Sequence, residues 1–331
     1  MKNKKLTIKD IANFANVSVS TVSNYLNERF DQMSAETRIK VGKVIAHTNF
    51  SPSSVARGLV KSDLKLIGVS VSDIENPFTS IIISGISESA NKHDYGLLFA
   101  NSANDSHKEN SSILSLLDRG ISGLIIDPVD PDKDEYKMLD KGTTIFIDRK
   151  PNSIEALTVQ SNNFDCVFEF VSEMKGQNYD DIYFVSWPLK NISTRNERYL
   201  GFKKALKLQN DHFLIEIPED DAEAVERIKG IFAKKEQKKI GFFTMNEPVL
   251  EHFLMITEHL SMTYPRDFGL GTYENPAWTR MIRPRISSIE QDSFMIGVLA
   301  SEILIDKLEN NTQRNEQTVY VKTTTHYRES F

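Results

Sequence analysis

Short apolar runs alternate with amphipathic stretches from residue 66 to residue 273, and this alternation restricts the fold more than any other feature of the chain. Residues 66–72, 97–100, 123–126, 144–147, 182–186, 240–244 and 269–273 have the length and composition of buried strands. Residues 77–92, 106–117, 195–208 and 248–260 carry helical periodicity. Strands separated by helices cannot pair as hairpins, so the pattern predicts parallel sheets with covering helices. Ligands of such sheets gather at the carboxyl ends of the strands. With 331 residues the chain is also longer than one hydrophobic core usually serves, which favours more than one domain.

The first 62 residues do not share this pattern, and their charge differs in sign from the rest. They hold ten Lys and Arg against four Asp and Glu, a net +6, which leaves −12 on the remainder of a chain whose total is −6. A basic head on an acidic body suits a polyanion-binding module whose partner is repelled by the rest. A lysine-rich solvated terminus has the same charge, so local pattern has to separate the two. Thr7 is a good N-cap for a helix with Ile8, Ile11, Ala12 and Ala15 at helical spacing. Asn16 suits a left-handed stop. Ser18 then caps a second helix with Val22, Tyr25 and Leu26 as its apolar stripe. Ser34 opens a third, with Ile39, Val41, Val44 and Ile45 expected inward. Three short helices with a tight turn between the first two make a helix-turn-helix unit. A generic three-helix bundle fits the spacing too, but the short uncharged surface of helix two, with Val19, Ser20, Thr21, Ser23 and Asn24, suits close approach to a groove wall.

These residues carry a resemblance. The stretch Thr7-Ile8-Lys9-Asp10-Ile11-Ala12, then Val17 to Asn27, then Glu36-Thr37-Arg38, is similar to the head of the LacI/GalR family of bacterial transcription repressors. Asn49-Phe50-Ser51-Pro52 and Ala56-Arg57-Gly58-Leu59 resemble its hinge helix, and the likeness continues to the end of the chain. The resemblance implies a small all-α helix-turn-helix head and an α/β body of two doubly wound lobes, like periplasmic sugar-binding proteins. It divides the chain into a DNA-binding domain (1–50), a hinge helix and linker (51–64) and an effector-binding and dimerisation domain (65–331). The first lobe would take 65–160 and 291–317, the second 161–290 and 318–331, with 319–324 as the last strand of the second lobe. Thr7, Lys9, Ser18, Val19, Ser20, Thr21, Ser23, Asn24 and Arg38 would meet the major groove and its phosphates, and Ser53, Ala56, Arg57 and Leu59 the minor groove, Leu59 as an apolar wedge.

The same resemblance implies an effector cleft between the lobes. Asp73 and Phe78 follow the first strand, with Pro77 read equally as a plain helix start capped by Asn76. Asp127, Asp148 and Arg149 sit just after apolar strands, where side chains either read sugar hydroxyls or pair with one another. Thr194, Arg195 and Arg198 match an Arg-x-x-Gly-aromatic stretch at a helix start. Phe243 and Asn246 match the end of a strand, although Glu247 and Pro248 replace the usual Asp and small residues. Glu274 stands where relatives have Asp, and Trp278 suits either stacking on a sugar ring or an ordinary core position. Residues 32–38, 48–50, 148–150 and 274–278 look most like repressors of the ketodeoxygluconate type, and Arg149, Lys190, Arg195 and Arg198 supply charge for a carboxylate.

Rival functions find less support. None of the seven histidines shows H-E-x-x-H or H-x-H spacing, His252 and His259 share a helical face without a third ligand, and no phosphate loop or G-x-S-x-G elbow occurs. The single Cys166, among Val167, Phe168 and Phe170, reads as a small buried hydrophobe. No catalytic residues, metal or cofactor are therefore expected. An exported sugar-binding protein without a DNA role is the main alternative, but the start Met-Lys-Asn-Lys-Lys leads into no apolar signal, and a +6 head would serve no purpose there. The expectation is a cytoplasmic homodimeric repressor of a sugar or sugar-acid operon. Its partners would be a pseudo-palindromic operator DNA and a small-molecule effector, with no membrane.

Overall fold

The structure is a computed structural model that describes residues 7–26, 29–48, 65–217, 221–234, 238–312 and 314–331. Ser53, Ala56, Arg57 and Leu59 lie outside these residues. The chain forms two compact units, the second starting at Lys65.

In the head, α1 (Ile8–Ala15) begins with a reciprocal cap. Thr7 Oγ1 accepts the Asp10 N–H, and the Asp10 carboxylate accepts the Thr7 N–H at 2.7 Å. Asn16, at φ 48°, ends the helix in the left-handed conformation. Ser18 Oγ accepts the Thr21 N–H at 3.1 Å to start α2 (Val19–Leu26), and Ser34 Oγ accepts the Thr37 N–H at 3.2 Å to start α3 (Ala35–Thr48). Ile11, Ala12, Ala15, Val22 and Val41 form the core. Ile39 does not join them and is 60% exposed. Two residues on a helix are about 200° apart, so Val41 and Ile39 cannot both face inward.

The body starts with β1 (Leu66–Val71), α4 (Pro77–Lys92), β2 (Gly96–Asn101), α5 (Ser106–Asp118), β3 (Gly123–Ile126), β4 (Thr144–Ile147) and β5 (Thr158–Ser161). The chain then crosses to a second lobe of α6 (Asn163–Gly176), β6 (Asp181–Ser186), α7 (Ser193–Leu206), β7 (Leu214–Glu216), α8 (Asp221–Ala233), β8 (Ile240–Thr244), α9 (Glu247–His259), β9 (Gly269–Tyr273) and β10 (Ser287–Glu290). It returns through α10 (Ser293–Asn310) and ends in β11 (Thr318–Val321) and β12 (Thr324–His326). Among the described residues the first sheet runs β2-β1-β3-β4-β5-β11, all parallel. The second runs β7-β6-β8-β9-β10-β12, antiparallel only at β12.

This topology corrects one expectation. Residues 319–324 are not one strand of the second lobe, because β11 pairs with β5 in the first sheet and only β12 reaches the second. The chain crosses at 322–323, where Asn162 Oδ1 accepts the Thr323 N–H at 3.1 Å. The β-branched run Thr-Val-Tyr-Val-Lys-Thr-Thr-Thr reads as one strand, and only the pairing partner separates its halves.

The return of α10 depends on close helix contact with α4. A Cβ on Gly297 would meet Ile82 O at 2.1 Å, and one on Gly85 would meet Phe294 O at 2.1 Å, so the crossing requires glycine on both sides. The contact buries Ile296, Ala300, Ile303 and Leu304 against Ile67, Val69 and Ile82 in the first lobe. Aromatic residues dominate the second core, where Phe170, Phe184, Phe242, Phe243, Phe253 and Phe268 are all buried. No helix among the described residues is long and apolar enough to cross a membrane.

Candidate functional site

The carboxyl ends of the two parallel sheets supply an array of charged groups. β4 and β9 occupy the same place in their respective sheet orders, and each is followed by an acidic residue in the left-handed region, Asp148 at φ 58° and Glu274 at φ 77°. Non-glycine residues held there cost on the order of 1 kcal/mol or more, so the surrounding packing, not local preference, aims both carboxylates.

From the first lobe, Asp127 Oδ2 accepts from the Ser72 hydroxyl and N–H, while its Oδ1 lies 3.9 Å from Arg149 Nε. Arg149 Nε is equally 3.9 Å from Asp148 Oδ2, and Nη1 donates to Pro128 O at 2.8 Å. Expected here either as a ligand group or as a salt bridge, Arg149 stands within ion-pair range of both carboxylates while one nitrogen is held by a carbonyl. From the second lobe, Arg195 Nη1 donates to Pro188 O at 2.7 Å. Arg198 is 5% exposed. Its Nε donates to Asn163 Oδ1 at 2.8 Å, its Nη1 to Met245 O at 3.2 Å, and its guanidinium lies 3.7 Å from the centre of the Tyr273 ring. Glu274 Oε2 accepts the Glu247 N–H at 2.8 Å, and Glu247 Oε1 in turn accepts the Trp278 indole N–H at 2.9 Å.

The electrostatics follow from this crowding. Burial, reinforced by Asp127 and opposed by Arg198 and Arg149, pushes Asp148 up to about 6. Burial, opposed chiefly by Arg198, pushes Glu274 up to about 7. Arg195 falls to about 10 through burial first, then through the like charges of Arg149 and Arg198. Arg149 belongs to the first lobe and Arg195 to the second, so like charges from both lobes disfavour one another, a repulsion that an anion relieves.

A pH dependence follows from the two carboxylates. Their folded pKa values lie above the ordinary Asp and Glu values, so between about pH 4.5 and 7 the folded state binds more protons than the unfolded one. Stability then falls as pH rises through this window and levels off above it. The expected decline between pH 5 and 8 is about 4 kcal/mol, read from urea midpoints. Asp267 and Glu329, both held near 2 by arginine partners, lose their contribution only below this window. Glu274→Gln should flatten the curve. A slope unchanged in that variant would remove Glu274 as its source.

Not every expected cleft residue is there. Phe243 is fully buried, its ring 5.3 Å from Phe170 and 5.9 Å from Phe184, because β8 is a central strand covered on both faces. It lines the core and not the cleft. Asn246 Oδ1 caps α9 through the Val249 N–H at 3.1 Å, and Thr194 is buried in the first turn of α7. Trp278 is partly buried against the second core with its N–H committed to Glu247. Asn76 caps α4 with Pro77 at its first position, and Phe78 is half-buried beside them. Asp73 accepts from the Glu75 N–H and from Asn104 Nδ2, which joins the loops after β1 and β2. Lys190 is exposed.

Sequence reasoning missed the polar groups at the crossings. Asn163 Oδ1 accepts from both Arg198 and the Tyr273 hydroxyl, the latter at 2.8 Å, and Gln160 Nε2 donates to both oxygens of Glu197. Ser161 Oγ donates to Gln291 Oε1 at 2.8 Å, which joins two crossing segments. The only sequence signal was a polar cluster, Gln-Ser-Asn-Asn at 160–163, directly after an apolar strand.

On the head, Lys9, Ser18, Val19, Ser20 and Arg38 are exposed, Val19 at 41%. Ser18 Oγ lies 2.7 Å from Ser20 Oγ and 2.8 Å from Thr21 Oγ1, so these hydroxyls order one another. Asn24 Nδ2 donates to Gln32 Oε1 at 3.1 Å. The Arg38 guanidinium rests 3.7 Å from the centre of the Phe30 ring. Ser23 is half-buried on the same helix.

A helix-turn-helix head joined to a two-lobed body with a charged cleft defines an effector-responsive DNA-binding regulator. Residues 7–53 match the bacterial regulatory proteins of the lacI family, and residues 171–331 match the periplasmic binding protein-like domain. The HTH-type transcriptional regulator KdgR of Bacillus subtilis is 31% identical over 92% of this chain and 92% of its own length. The probable regulator EndR of Paenibacillus polymyxa is 28% identical over 94% and 93%. The lac repressor dimer bound to operator and the anti-inducer ONPF superposes with a TM-score of 0.81, at 20% identity and 99% coverage of both chains. The chain belongs to the LacI family of transcriptional repressors, whose members bind operator DNA as dimers and answer to small-molecule effectors. These relatives are regulators and not enzymes.

Proposed function

We propose that the chain represses a sugar-acid utilisation operon and that its cleft takes a carboxylate-bearing sugar of the ketodeoxygluconate type. The repulsion between Arg149 and Arg195 of opposite lobes, beside the hydroxyl-reading carboxylates Asp127, Asp148 and Glu274, carries this reading. Two guanidinium groups repel until an anion lies between them, whereas a neutral sugar leaves that repulsion in place. Calorimetric titration of the full chain with ketodeoxygluconate and with its neutral parent sugar tests the reading. The acid should bind at least about tenfold more tightly, which corresponds to one ion-pair-assisted hydrogen bond. Equal affinities, or binding of the neutral sugar alone, would overturn it.

On DNA, the reading gives Lys9, Arg38 and the helix starts at Thr7 and Ser18 the phosphates, and gives Val19, Ser20, Thr21, Ser23 and Asn24 the base edges. The hinge positions Ser53, Ala56, Arg57 and Leu59 would enter the minor groove as a symmetric pair. Asn24→Ala should cost about 1–3 kcal/mol on operator DNA with little change on scrambled DNA. Gel shifts on both duplexes check this, and an unchanged ratio would reassign the base-reading role.

A further inference from the structure

We infer that Asp132, Asn152 and Asn191 form a latch between the two lobes that holds them in the arrangement of this structure before any effector binds, and that buried Glu109 is the positioning residue for its first-lobe half. Asn191, in the second lobe, donates through Nδ2 to Asp132 Oδ2. Asn152 Nδ2 donates to Asp132 Oδ1 at 2.8 Å and, across the lobes, to Asn191 O at 3.3 Å, while the Asn152 N–H is held by Pro131 O at 2.7 Å. Beside them the Lys150 N–H, in the first lobe, donates to Ser193 Oγ, in the second, at 2.9 Å. The Asp132 carboxyl is held below its ordinary value by the amides of Asn152 and Asn191.

The segment carrying Asp132 has little regular structure of its own, so something else must fix it. Glu109, fully buried on α5, accepts from the Val129 N–H at 2.9 Å, Lys133 Nζ at 3.1 Å and the Tyr136 hydroxyl at 2.8 Å. Lys133 also donates to Ser106 O, and Lys133 O accepts from Ser153. Asp132 therefore stands between two residues tied to one carboxylate. The same segment begins with Asp127 and with the Pro128 carbonyl that holds Arg149, so its placement is shared by the cleft and the latch. A buried carboxylate with a single lysine is an expensive group to place in a core, and three directed donors give it a positional role.

Asp132, Asn152 and Asn191 are all exposed. Hydrogen bonds between exposed groups compete with water and change an equilibrium only a few-fold, which biases the lobes toward this arrangement while leaving it reversible. The latch acts without ligand, so it stands whether or not the effector is a sugar acid.

Hydrogen exchange on the full chain without ligand tests it, with the Lys150 amide as reporter because its acceptor lies in the opposite lobe. Asp132→Ala and Asn191→Ala should each speed exchange there two- to tenfold, and the double variant should do no more than either alone. The exchanged pair Asp132→Asn with Asn191→Asp should restore protection, and Glu109→Gln should speed exchange both at Lys150 and along 128–134. If Asn191→Ala leaves the Lys150 amide unchanged, or if the effects of the single variants add, the latch is excluded. Loosening of 128–134 alone in Glu109→Gln would reduce Glu109 to a local structural group.

Discussion

Arg198→Ala is expected to destabilise the body by about 3 kcal/mol or more, the cost of leaving buried charge without its partner. In a unit of this size that lowers Tm by roughly 6 °C or more. Arg198 joins three elements at one point: Asn163 at a crossing between lobes, Met245 at the end of β8 and Tyr273 at the end of β9. Burial opposes its charge, and Tyr273, Asp148 and Glu274 restore it. Truncation strips Met245 O of a donor and leaves two carboxylates crowded without their nearest shared cation. The penalty should therefore shrink at pH 5.5, where both carboxylates take up protons, and thermal melts at pH 5.5 and 8 measure the difference. Lysine should recover only part of the loss, because a point charge cannot donate to Asn163 and Met245 while lying flat on a ring. A change below 1 kcal/mol at pH 8 would show that Arg198 does not compensate these carboxylates.

On the proposed reading of the cleft, Arg195→Ala is expected to weaken binding of a sugar acid by at least about 30-fold, or 2 kcal/mol, since it would remove one member of a desolvated, charge-assisted contact. Stability should change little, because the guanidinium touches one carbonyl, Pro188 O, and its own charge is already disfavoured by Arg149 and Arg198. Operator affinity without ligand should match the parent chain, so that the variant represses but no longer answers. Calorimetry and gel shifts on one preparation separate these effects. Undiminished response in Arg195→Ala would move the anion to another part of the cleft.

Much of this architecture was legible from residue pattern. The caps at Thr7, Ser18 and Ser34 and the left-handed Asn16 are local events, decided by side chains within three positions of the backbone groups they satisfy. Periodicity identified seven of the body's strands and four of its helices through β9, since a strand covered on both faces must be apolar throughout, but β5, α6, β7 and α8 were not among the expected elements. The positions of Asp127, Asp148 and Glu274 followed because they directly succeed such strands. Phe243 was misplaced by the same reasoning, which identifies the end of a strand but not which of its last residues still faces the core.

The sequence by itself determined the capped helices of the head, the parallel-sheet character of the body and the acidic residues at the strand ends, because each arises from contacts or periodicities within a few residues, while the division into two lobes came from the family resemblance. Only the tertiary structure decided that β11 and β12 belong to different sheets, that Arg149 and Arg195 repel one another, that Asn163 and Gln291 tie the crossings, and that Glu109 supports the segment bearing Asp132. Glu109 left a faint trace, a carboxylate in register with the buried Ile113 and Leu116 on one face of α5, but its three donors lie 20 to 27 residues further along the chain. Such pairings are set by how separate elements close on one another. Their energy depends on burial and direction, which no local pattern encodes.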